Sequence, residues 1–156
     1  MPSKPEVRIQ ELHLTLPEPP KPMAKYKPAV LAGNMLYVSG HGPLKPDGKS
    51  SMLGRVGADL TTEQGKEAAR LVGLAILSTV RNTLGSLDKV KRLVKTLGLV
   101  QCTDDFQQQP QVINGFSELM AEVFGEDAGV GARSAVGTNA LPTGIAVEIE
   151  CIFEVQ

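Results

Sequence analysis

Apolar and polar positions alternate most cleanly at the C-terminal end of the chain. Val147, Ile149, Cys151, Phe153 and Val155 share one face of a strand, while Glu148, Glu150 and Glu154 share the other. Before it, the stretch that begins at Gly131 places Arg133 at the head of a short strand, joined through a Leu141-Pro142-Thr143-Gly144 turn. Gly33-Asn34 separates Ala29–Ala32 from Met35–Gly40 and predicts a two-residue hairpin; Pro46-Asp47-Gly48 marks a further turn. Thr61 with Gln64 forms a capping box ahead of a helix carrying Ala68, Leu71, Val72, Ala75, Ile76 and Leu84. A strand is expected over Val90–Cys102. Pro110 then opens a second helix with an apolar stripe of Ile113, Phe116, Leu119, Met120 and Val123, and Gly125 ends it. The order strand, strand, helix, strand, helix, strand, strand is that of an α+β domain.

The first two dozen residues differ in character. Pro17, Pro19, Pro20 and Pro22 remove ladder donors and fix φ, which predicts a proline-rich arm over residues 1–25 and a single domain over 26–156. Val7–Leu16 is expected to add an edge strand before the prolines. The N-terminus has no apolar signal-like run and no stretch reaches membrane-spanning length, so a soluble, unprocessed, cytoplasmic protein is expected.

Two helices can cover only one face of a sheet. Yet Met35–Gly40 is apolar on both sides, with Met35 and Tyr37 opposite Leu36 and Val38. Val90–Cys102 is similar, with Val90, Val94 and Val100 opposite Leu93, Leu97 and Leu99. A strand of this kind needs cover on both faces, and a second subunit is the simplest source of the missing layer. An oligomer is therefore expected.

At 156 residues the chain can bury roughly 70 % of the surface its unfolded form exposes. A net charge of −1 provides no electrostatic footprint for a polyanion, and alternation splits Lys89, Lys91, Arg92 and Lys95 between two strand faces. Nucleic acid is not the expected partner. Cys102 and Cys151 both fall in apolar strands, as suits buried reduced thiols. His13, His41 and the cysteines show no metal-ligand spacing, so no metal is expected.

The candidate chemistry lies in the C-terminal strands. If Arg133 faces the same way as the glutamates, the set could hold a small carboxylate and a water molecule; the alternative is a solvated face with a structural ion pair. His41 is a conceivable general base, although a lone loop histidine is more often incidental.

The string Ala-Arg-Ser-x-Val, then Leu-Pro, then Val-Glu-Ile-Glu resembles the signature of the YjgF/RidA (L-PSP) family, the reactive-intermediate deaminases. Tyr26–Pro43 resembles the family's first hairpin with its Ser-Gly element, and Asn114 with Glu118 its second helix. The resemblance implies a chorismate-mutase-like fold: a mixed sheet with two helices on one face, assembled as a homotrimer around a central barrel, with ligand clefts between subunits. It implies that Arg133 binds a substrate carboxylate and that Glu148 positions the attacking water, with Glu150 as the competing carboxylate. Ser39, Gly40, Tyr26 and Asn114 match pocket positions. The implied activity is hydrolysis of small 2-imino acids or enamines to 2-oxo acid and ammonia, without a cofactor. A non-catalytic module binding 2-oxo acids is the alternative, and a ribonuclease or translation inhibitor is less favoured. Two departures stand out: Ala135 replaces a cysteine common in the family, and the Asn114-to-Arg133 spacing is long through Gly125–Gly131.

Overall fold

The computed structural model describes residues 3–156. Among these, the elements in chain order are α1 (Pro5–Glu11), β1 (Ala29–Ala32), β2 (Met35–His41), α2 (Thr62–Leu84), β3 (Val90–Gln101), α3 (Gln109–Phe124), β4 (Ala132–Thr138) and β5 (Val147–Val155). The strands form one sheet in the order β1-β2-β5-β3-β4. Neighbours are antiparallel except β3 and β4, which run parallel with α3 as the crossover. This is the mixed α+β sheet expected.

Local signals act where the sequence places them. Gly33 takes φ +61° at the β1–β2 turn, a left-handed conformation open to glycine at no steric cost. Thr61 and Gln64 close a complete capping box, and Gly85 ends α2 in the left-handed region. Proline stands in the first turn of α3, and Gly125 follows its last residue. Both long helices pack on one face of the sheet. Leu36, Val38, Leu93, Val100, Ile149 and Phe153 meet Val72, Ile76, Ile113, Phe116 and Met120 in a closed core. The helices approach so closely that a Cβ on Gly115 would lie 1.9 Å from the Lys66 carbonyl oxygen.

The opposite face has no covering layer among the described residues. Val30, Tyr37 and Val136 are exposed there, beside half-buried Leu97, Leu99 and Ile152. The two-sided character of β2 and β3 is real.

Two expectations fail. Val7–Leu16 is not an edge strand: Pro5–Glu11 is a helix, with proline in its first turn and Glu6 near its N-terminal end. Ile9 is buried in the core, and His13 at φ +53° turns the chain away. The helix is anchored by Glu6, which accepts from Arg81 Nη2 at 2.6 Å and from the Leu87 amide at 2.8 Å. In β3 the sides of Leu93 and Val94 are exchanged. Register shifts between Val90 and Arg92 and between Leu93 and Lys95 break strict alternation, so Val90, Leu93, Thr96 and Val100 all face the helices. Among the described residues, no helix is long and apolar enough to cross a membrane.

Candidate functional site

The alternation of β5 buries Val147, Ile149, Cys151, Phe153 and Val155 and leaves Glu148 half-buried on the open face. Glu148 is paired with Leu99 of β3 on one side. On the other side lies Gly40, where an added Cβ would stand 2.8 Å from Glu148 Oε1. Burial raises the Glu148 pKa above the usual carboxylate value, and the negative charge of Glu150 adds to the rise. Ser39 and Gly40 occupy a break in register, because pairing passes from Val38–Cys151 to His41–Ile149. The Ser39 hydroxyl is committed, donating to the Lys27 carbonyl at 2.6 Å.

Arg133 pairs laterally with Thr96, which is buried under the helices, so its side chain leaves the sheet on the helix side. Its Nη1 donates to Asn114 Oδ1 at 2.8 Å and to Ser117 Oγ at 3.1 Å, both on α3. Nη2 reaches the Pro110 carbonyl at 3.5 Å. No carboxylate among the described residues lies within ion-pair distance of the guanidinium. A cavity of about 250 Å³ adjoins it, lined by Leu93, Thr96, Asn114, Ser117 and Gly131. A cation held by two neutral acceptors, with donors to spare beside an open cavity, is suited to an anion with a planar two-oxygen head.

The sequence-predicted residues thus form two groups. Arg133 and Asn114 come together, and so do Gly40 and Glu148, with Ser39 adjoining. The groups occupy opposite faces of the sheet within one chain, so Arg133 does not face the same way as the β5 glutamates. The reason is register: Arg133 follows Thr96, three positions before Leu99, and successive residues alternate faces. Tyr26 is exposed in the loop before β1, and its backbone N–H donates to the Ala24 carbonyl. His41 is not in a loop but at the end of β2, where it is buried. Glu150 borders a separate open-face cavity of about 500 Å³ with Tyr37, Lys95, Ser134 and Ile152. Ser117 was missed by sequence reasoning. Its spacing of three residues from Asn114 puts both on one side of α3, which was the available signal. Among the described residues no group of three His, Cys, Asp or Glu is placed to hold a metal ion.

A family model described as "YjgF/chorismate_mutase-like, putative endoribonuclease" matches residues 6–151, nearly the whole chain. The chain belongs to the YjgF/RidA family. Protein TCP17 of Trypanosoma cruzi is 42% identical over 148 residues, covering 95% of this chain and 92% of that protein. The crystal structure of Atu1372 from Agrobacterium tumefaciens, a protein of unknown function, has 39% identity and a TM-score of 0.87, covering 97% of this chain and 91% of that one. A Shewanella oneidensis structure described as "a putative endoribonuclease" superposes with a TM-score of 0.93 at 28% identity, covering 98% of this chain and all of that one.

Proposed function

We propose that this YjgF/RidA protein hydrolyses small 2-imino acids, or their enamine tautomers, to 2-oxo acids and ammonia. The observation that supports this most directly is Arg133, a cation clamped by Asn114 and Ser117 beside a cavity and without a carboxylate partner among the described residues. Arg133 would hold the substrate carboxylate. Glu148 would take a proton from water as its oxygen bonds to the imine carbon and the C=N π pair moves to nitrogen. That proton, returned to nitrogen, completes the neutral carbinolamine; the hydroxyl proton then passes to nitrogen through Glu148, the carbonyl forms, and ammonia leaves with the C–N bond pair. A carboxyl with a raised pKa suits both directions of transfer. Such imines also hydrolyse unaided, so positioning supplies much of the gain.

Because Arg133 and Glu148 lie on opposite faces of one sheet, we place the working site between two copies, with Arg133 from one and Glu148 with Gly40 from the next. The uncovered apolar face around Tyr37, Val30 and Val136 supports assembly, and we propose a homotrimer whose sheets enclose a central barrel. The test has two parts. Sedimentation should give about three times the 16.6 kDa chain mass. Imines made in situ by an amino-acid oxidase should be hydrolysed by wild type and by neither Arg133→Ala nor Glu148→Ala alone. The two variants unfolded and refolded together should regain activity, since some interfaces then combine an intact Arg133 with an intact Glu148. Full activity in Arg133→Ala would remove the proposal.

The Arg133 group is complete without Glu148, and that favours one second reading: a module that binds 2-oxo acids without turning anything over. In that case Glu148→Ala would bind pyruvate as wild type does, and no imine would be hydrolysed faster. The ribonuclease reading lacks a paired acid and base, since His13 is exposed after α1 and His41 is buried under α2.

A further inference from the structure

We propose that His41 is a positioning residue for Glu148, acting with Thr79 to hold the Ser39–Gly40 bulge against the Glu148 carboxylate. This rests on the role given to Glu148 above.

Between Val38 and His41, β2 carries two residues, Ser39 and Gly40, opposite the single Glu150 of β5. A bulge of this kind bends its strand and re-aims nearby groups, and it persists only where its freed backbone groups find partners. Here each polar group of Ser39 has one. Its amide donates to the Pro28 carbonyl at 2.9 Å, its hydroxyl to the Lys27 carbonyl at 2.6 Å, and its carbonyl is 2.6 Å from His41 Nδ1. The other ring nitrogen, Nε2, is 2.7 Å from Thr79 Oγ1 in α2. A carbonyl can only accept, so Nδ1 carries the proton, and in the neutral ring Nε2 accepts from the threonine hydroxyl. Burial holds the His41 pKa down, with the Ser39 carbonyl opposing, so the neutral ring is the form that matches both partners.

An aliphatic side chain would fill this space, but only a group with a donor and an acceptor on its two sides ties the bulge to α2. The bulge sets how near the Gly40 backbone stands to Glu148 Oε1, the 2.8 Å approach of a notional Cβ. Around Glu148 the charged neighbour is Glu150 on the same strand. The flanking residues of β2 and β3, Gly40 and Leu99, bring no charge, and α2 and α3 pack on the other face. The position of the bulge is therefore what controls how far Glu148 is withdrawn from water.

The experiment follows the Glu148 carboxyl by carbon-13 NMR in glutamate-labelled protein, its resonance identified by loss in Glu148→Gln, alongside imine-hydrolysis kinetics. In folded Thr79→Val and His41→Leu, Glu148 should titrate at lower pH than in wild type. Their kcat should fall roughly tenfold with KM held within about twofold. His41→Gln, whose amide offers a donor and an acceptor, should recover part of both. A role in packing alone would lower Tm while leaving titration and kcat in place, and that result in Thr79→Val overturns the proposal. Should wild type hydrolyse no imine, the deaminase reading falls, and the titration comparison still decides the part played by His41.

Discussion

Gly40 and Glu148 meet across the β2–β5 pair so closely that a single methyl group would not fit between them: the Cβ of an alanine at 40 would stand 2.8 Å from Oε1. The obstructing atom is the far end of a flexible side chain, so it can yield. Gly40→Ala should therefore leave Tm within a few degrees of wild type while displacing the Glu148 carboxylate. We expect kcat/KM to fall about tenfold or more, measured beside circular dichroism.

The Arg133 anchor depends on a planar fork held by α3. Lysine would keep the charge and lose the fork, so Arg133→Lys should raise KM roughly ten- to a hundredfold. Asn114→Ala leaves Ser117 and the Pro110 carbonyl to orient the guanidinium and should cost less than Arg133→Lys. Isothermal titration with pyruvate gives the same ranking without any need for turnover.

The raised pKa of Glu148 carries two signs. Water activation needs the carboxylate, so kcat/KM should climb with pH along a limb lying above the ordinary value of 4.5, and Glu148→Gln should abolish it. For stability, the folded chain holds this proton more tightly than the unfolded chain. Its contribution is therefore lost as pH rises from 4.5 through the folded value.

Glu6 behaves oppositely. Burial alone would raise its pKa, but the Arg81 hydrogen bond, the Leu87 amide and the charge of Arg81 outweigh it and hold the carboxyl below 4.5. The stability it lends is present above 4.5 and fades as pH falls through the folded value. Acid unfolding of Glu6→Gln should consequently be less steep than that of wild type. Ile9→Ala, which removes the one buried side chain of α1, should cost about 2–4 kcal/mol in urea unfolding.

Gly115 is the least forgiving position. An alanine there would drive its Cβ to 1.9 Å from the Lys66 carbonyl oxygen, and backbone cannot step aside as a side chain can. Gly115→Ala should destabilise by roughly 3 kcal/mol or more. Because Asn114 and Ser117 flank it on α3, any protein that remains folded should also bind pyruvate more weakly.

The residues of the candidate site were legible as types and positions, not as neighbours. Arg133, Asn114, Gly40 and Glu148 each match positions of the family motifs that the sequence resembles, and the pairs Arg133–Asn114 and Gly40–Glu148 do meet. That the two pairs stand on opposite faces was not readable, because β4 and β5 are never direct neighbours: β3 lies between them. Ser117 escaped notice because a helix-surface serine acquires meaning only when a guanidinium is brought to it.

What the sequence determines by itself is local. The alternation of β5, the glycine turn at 33, the capping box of Thr61 and Gln64 and the glycine that ends α3 depend on residues a few positions apart, and each holds in the folded chain. The tertiary structure alone decided the rest. The bulge at Ser39–Gly40 and the shifts in β3 arise from pairing with distant strands, where a one-residue slip moves a side chain to the other face. Val7–Leu16 alternates well enough for a strand, but a proline-started helix buries Ile9 and joins Glu6 to Arg81 seventy-five residues away. Partners so remote in the chain leave no periodicity behind, and only packing brings them within reach.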